Sequence, residues 1–178
     1  MTNYELQQLK FPIGTFTAPE IITKNHLDAW LTTLEEFPEK LKALAHTLKE
    51  ADFDLKYRPE AWTIRQVIHH IADSHHHSYI RFKWTLTEQE PTIKAYNEVA
   101  WANLHDYDQS IAISLDHINV VHKKLVYLVK GLQETDLDKA FIHPETNTKV
   151  QLKENLGIYA WHSEHHYAHI KQALELRF

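Results

Sequence analysis

The sequence predicts an all-α protein, a four-helix bundle with a long loop between helices two and three. Three observations carry that expectation. Apolar residues recur at steps of three and four over long stretches of the chain, the spacing of one face of a helix. Only 3 glycines occur in 178 residues, poor material for a turn-rich β fold. Four such amphipathic stretches are present, and each can bury its stripe by packing on the others.

Taken in order, the first 20 residues, which include LKFPIGTFTAPE, carry Pro, Gly and Thr and read as an irregular arm. From Asn25 an apolar stripe runs through Leu27, Leu31, Leu34, Phe37, Leu41, Leu44 and Leu48. Pro38 interrupts it and has no N–H to donate, which predicts a kink or two consecutive pieces. Residues 51–62 read as a loop. Thr63 then stands three positions before Gln66, a capping-box spacing that opens the second helix. That helix is expected to reach about Thr87, and Pro91 closes the region. Residues 88–108 form a long aromatic connection with Tyr96, Trp101 and Tyr107, and connections of that length are often functional. Asp108 or Ser110 can cap a third helix with the stripe Ile111, Leu115, Ile118, His122, Leu125 and Val129, ended by Gly131. The stretch 139–151 fits a short hairpin or loop around Pro144 to Asn147. A last helix is expected from about Leu152 to Leu176. No repeat or low-complexity linker divides the chain, so 1–178 reads as a single domain.

Composition narrows the function. Hydrophobic residues make up 43% of the chain, enough for a packed core rather than disorder. No apolar run approaches the roughly 18–20 residues of a membrane span, and MTNYELQQLK lacks the pattern of a secretory signal. Cysteine is absent, which removes disulfides and thiolate metal ligands together. Cytoplasm is the expected location. The net charge of −5 and the lack of a basic stripe argue against nucleic acid, whose binding depends on neutralising phosphates. Neither nucleic acid nor a membrane is an expected partner.

Histidine is the unusual residue. It occurs 15 times, and two segments concentrate it: His69, His70, His75, His76 and His77 in one, His162, His165, His166 and His169 in the other. On a helix, residues four apart project from one face, so His162 and His166 can reach one ion at the roughly 2.0–2.1 Å of a zinc–nitrogen bond. His165 and His169 have the same spacing. In the second helix, phase favours His70 over His69, and His75 is a rival. His122, inside an apolar stripe, reads as a hydrogen-bonded core histidine. His75, His76 and His77 read as a polar surface cluster with His75 partly buried. His26, His46, His105, His117 and His143 show no partner pattern. Asp73, Glu164 and Tyr159 lie close in sequence to the candidate ligands and could support them, with Glu164 expected to be exposed. No catalytic acid or base is assigned.

The segments WTIRQVIHHIADS (62–74), PTIKAYNEVAWANL (91–104) and WHSEHHYAHI (161–170) together resemble the DinB superfamily, and within it the YfiT-like branch. The resemblance covers most of the chain. The superfamily pattern has a metal-binding histidine eight residues after a helix-starting Trp, which from Trp62 is His70, and a His-Xaa3-His on the last helix, matching His162 and His166. It thus implies a four-helix bundle with one divalent metal ion, zinc or nickel, on His70, His162 and His166, with open positions filled by water. It also implies a homodimer. YfiT-like proteins are labelled metal-dependent hydrolases, while relatives include isomerases and S-transferases that use mycothiol or bacillithiol.

The expected function is therefore hydrolysis of a small molecule through a metal-bound water whose pKa the ion lowers towards roughly 7. An S-transferase that activates a low-molecular-weight thiol fits the same residues. So does a non-catalytic metal-binding or stress-response protein, or a helical interaction protein with incidental histidines.

Overall fold

The computed structural model describes residues 2–178. Helix α1 (Asn3–Lys10) occupies part of the stretch expected to be an irregular arm. The reason is local: the Thr2 hydroxyl accepts from the Glu5 N–H while the Glu5 carboxylate accepts from the Thr2 N–H, a reciprocal cap. Residues 11–23 then run irregularly to α2 (Lys24–Ala45). Of the two outcomes expected at Pro38, the division into two pieces does not occur: α2 runs on past it, with Pro38 buried inside. Proline there removes the N–H that would bond the Leu34 carbonyl one turn back, and that carbonyl instead accepts from His122 Nδ1 at 2.6 Å. The loss is made good by another helix.

Thr63 caps α3 (Ile64–Thr87) with Gln66 in the expected reciprocal pair. The long connection holds a short helix, α4 (Glu98–Trp101), and a 3-10 turn at His105–Asp108. Ser110, rather than Asp108, caps α5 (Ile111–Lys130), and Gly131 ends it. Helix α6 (Glu134–Leu137) precedes a hairpin of β1 (Ala140–His143) and β2 (Thr148–Gln151), antiparallel with Phe141 opposite Val150. Helix α7 (Leu152–Leu176) completes the chain.

The four long helices pack in a ring in which α3 and α2 each lie between α5 and α7. Helices α2 and α3, neighbours in sequence, thus sit across the diagonal. One apolar cluster joins Phe37 and Leu41 of α2, Ile64, Ile68 and Ile71 of α3, Ile118 of α5 and Ile170 of α7. A second joins Leu34, Phe82, Leu125, Leu152 and Leu156. Along α3, α5 and α7 the residues between these clusters are largely polar: Ser74, His75 and Ser78, then His122, then Ser163 and His166. Asn155 donates to Ser78 at 2.9 Å within that belt, as buried polar groups require. Gly157 of α7 allows the arm and α2 to approach closely, since a Cβ there would lie 2.9 Å from the rings of Phe16 and Trp30. Among the described residues no helix is long and apolar enough to cross a membrane.

Candidate metal centre

His70 stands two turns into α3, and His162 and His166 stand on successive turns of α7, the helix packed beside it. One ring nitrogen of each lies within 4.8 Å of one from each of the others. Ring centroids are 5.3 Å apart for His70 and His162, 4.9 Å for His70 and His166, and 4.4 Å for the pair on α7. His70 and His166 are buried and His162 is half-buried. The rivals for the α3 position are held elsewhere. His69 is bound to Ser114 Oγ at 2.7 Å and to the Gln109 carbonyl at 3.2 Å. His75 is fully buried, not at the surface, and sits behind His162, 3.1 Å from its Nδ1. His76 is exposed and pairs with His117 at 2.8 Å, a partner that sequence spacing did not suggest.

A second triad, His165, His166 and His169, meets the same distance criterion and shares His166. His169 is already engaged: its Nδ1 faces His166 Nδ1 at 3.3 Å, and its Nε2 donates to the Lys10 carbonyl at 3.1 Å.

Burial decides the charge state of these rings. It pushes His70 and His122 down to about 4, His165 to about 4 and His169 to about 3. Neighbouring His165 adds to the effect on His70 and His169. His75, His162 and His166 are lowered well below the ordinary range, first by burial and then by nearby histidines. Near neutral pH the rings are uncharged and carry lone pairs, the form a metal needs. The donor set therefore fits a divalent ion. His70 Nδ1 adds a second sign, because it is buried with no hydrogen-bond partner, a state it shares with His165 Nδ1 and one that is costly for a polar atom unless something satisfies it.

The three histidines open on a cavity of about 390 Å³. Its wall includes Lys10 and Phe11 at the end of α1, Tyr57, Trp62, Ser74, Arg81, Tyr96, Glu98 and Tyr159, together with His165 and His169. Arg81 Nη1 donates to Tyr159 Oη at a long 3.5 Å, and its Nε is buried without a partner. Of the aromatic residues in the long connection, Tyr96 reaches the cavity, while Trp101 packs on Tyr96 and His77. Tyr107 instead donates to Asp73 at 2.7 Å. Asp73 thus serves Tyr107, and His70 Nδ1 has no bond to it. Glu164 pairs with Lys40 of α2 at 2.6 Å on the outer surface.

A family profile of the DinB superfamily matches residues 33–170. The chain belongs to the DinB superfamily. A protein of Oceanobacillus iheyensis named "Putative metal-dependent hydrolase" is 44% identical over 161 residues, 90% of this chain and 93% of that protein. The solved structure of YfiT from Bacillus subtilis, titled "a probable metal-dependent hydrolase with an unusual four-helix bundle topology", is 40% identical. It superposes with a TM-score of 0.92 over 96% of this chain and 98% of that one. A mycothiol-dependent maleylpyruvate isomerase shares the fold at a TM-score of 0.63 and 16% identity, over 85% of this chain and 63% of that one.

Within this DinB protein, Arg81 is one of the cavity residues that sequence reasoning missed. The signal was present. Ser74 and Arg81 follow His70 at steps of four and seven on one helix, which keeps all three on one face. Lys10 and Phe11 left no such trace, because only folding brings the arm to the cavity.

Proposed function

We propose that this DinB-superfamily protein is a hydrolase of a small molecule that uses one divalent ion per subunit, zinc or nickel, on His70, His162 and His166. The observation that carries the reading is the meeting of three neutral imidazoles from two packed helices at a cavity with a cationic and hydroxylated wall. The names given to relatives of 40% identity and above support it. Bound there, a divalent ion supplies Lewis acidity and the means to lower the pKa of water.

The chain's own residues do the rest. Neutral imidazoles leave the ion its full charge. Tyr57, Trp62 and Phe11 line the cavity with rings against which the apolar part of a small substrate can pack. Arg81, whose contact with Tyr159 is long, offers a charged donor to an anionic or carbonyl group of that substrate. The protein is read as a cytoplasmic homodimer. Ile113, Val120 and Tyr127, exposed at seven-residue steps along α5, support pairing of two copies.

The test is product release from a panel of ester and amide substrates by zinc- or nickel-loaded protein, with and without added small thiols. Turnover without thiol, lost on chelation and restored by metal, is expected. The Arg81→Gln variant should raise KM for anionic substrates about tenfold, the effect of roughly 1.4 kcal/mol, and leave neutral ones alone. Conjugates formed only with a thiol would make the protein an S-transferase. Stoichiometric metal with no turnover of either kind would make it a binding protein.

A further inference from the structure

Behind His162 lies an unbroken line of buried hydrogen bonds. His162 Nδ1 meets His75 Nε2 at 3.1 Å, His75 Nδ1 meets His122 Nε2 at 2.9 Å, and His122 Nδ1 meets the Leu34 carbonyl at 2.6 Å. The line has only one consistent proton assignment when every ring is neutral. A carbonyl can only accept, so His122 carries its proton on Nδ1 and its Nε2 is bare. His75 must then donate from Nδ1, which leaves its Nε2 bare. His162 must donate from Nδ1 in turn, and its remaining lone pair is on Nε2.

A second, shorter line ends the same way. The Lys10 carbonyl accepts from His169 Nε2 at 3.1 Å, and His169 Nδ1 faces His166 Nδ1 at 3.3 Å. His169 is thus protonated on Nε2, His166 on Nδ1, and the lone pair left to His166 is again on Nε2. Both anchors are carbonyls that helix bonding does not claim in the usual way. Pro38 deprives Leu34 of its intrahelical donor, and Lys10 is the last residue of α1, where carbonyls lack partners.

We propose, on the reading of His70, His162 and His166 as ligands, that His75, His122 and His169 are positioning residues. Two histidine chains anchored on freed backbone carbonyls fix the tautomers of His162 and His166, so that each presents Nε2 to a single ion. A ligating imidazole commonly gives its other N–H to a carboxylate, carbonyl or water; in this protein further imidazoles take that place. His169 is held out of coordination by the same bonds, which limits the shared cluster to one ion.

Long-range 1H–15N spectra of metal-free protein labelled in histidine read the tautomers directly. Protons on Nδ1 of His75, His122, His162 and His166 and on Nε2 of His169 are expected. Zinc titration of folded His75→Phe and His169→Phe should show affinity lower by about 10–100-fold, with His162 or His166 respectively turning into a tautomer mixture. His117→Phe, which alters the exposed pair with His76, should bind as wild type does. A proton on Nε2 of His162 or His166 in the wild-type protein overturns the proposal, as does unchanged zinc affinity in both folded variants. If a variant fails to fold, the wild-type spectra still decide. Wild-type protein that takes up no zinc would overturn the ligand reading itself, a failure visible before any variant is compared.

Discussion

The two histidine triads of this protein share His166 and are built from pairs with identical spacing, yet their nitrogens are differently occupied. In His70, His162 and His166 each ring keeps a nitrogen that no hydrogen bond claims, while the cavity is common to both triads. In His165, His166 and His169 the last ring has both nitrogens engaged, one with His166 and one with the Lys10 carbonyl. His165 stacks on Trp161 with ring centroids 4.4 Å apart and keeps a buried Nδ1 without a partner, so the difference between the triads rests on His169. Proximity of imidazoles is therefore a weak criterion for a metal site. What separates the triads is whether a lone pair is left over once the buried hydrogen bonds have been counted.

The largest effect that can break this comparison is loss of the ion. His166→Ala and His70→Ala should each reduce zinc affinity beyond the roughly 10–100-fold expected of a supporting partner, measured by calorimetric titration. His165→Ala should still bind one ion per chain. The reverse pattern, with His165→Ala empty and His70→Ala loaded, would assign the ion to the other triad.

A smaller effect is read in stability. Zinc at about 100 times its Kd should stabilise the wild-type fold by about 2.7 kcal/mol, measured as a shift in urea unfolding. The shift should persist in His165→Ala and vanish in His70→Ala. Equal shifts in both would show that zinc acts at some third place.

A third effect, spread over several pH units, concerns protons and should treat the triads alike. His70, His122 and His165 are lowered to about 4, and His169 to about 3, chiefly by burial. Between pH 6.5 and about 4 the unfolded chain binds protons that the folded chain refuses. Stability of the metal-free protein is thus present above pH 6.5 and falls as pH drops through that window. Each such ring contributes up to about 1.4 kcal/mol per pH unit. His165→Phe should flatten the pH dependence of unfolding by one ring's share and leave zinc binding intact. An unaltered slope would mean that His165 is protonated in the fold.

Most of the architecture was legible in the residues because its signals are local. The Thr63 and Gln66 pair opens α3, Gly131 ends α5, and the last helix runs from Leu152 to Leu176, as apolar spacing and caps predicted. The arm, and the break expected as one of two outcomes at Pro38, were misread for opposite reasons. Helix α1 is short and declared by one cap, Thr2 with Glu5, which its lack of an apolar stripe obscured. Pro38 has a clear local preference against mid-helix positions, but tertiary packing overrode it by supplying His122 to the carbonyl left bare. Of the candidate ligands, helical phase favoured His70 over His69 but could not separate it from His75, five positions further along the same helix.

The sequence by itself therefore determined four amphipathic helices, their limits, and a chain rich enough in histidine to suggest a metal. Periodicity and capping act over a few residues, and a reader of the chain can count them. Only the tertiary structure decided which imidazoles keep an open lone pair. That depends on Leu34, His75, His122 and His162 meeting across α2, α3, α5 and α7, and on the arm bringing the Lys10 carbonyl to His169. Such contacts are made between residues as much as 159 positions apart, where local spacing carries no information.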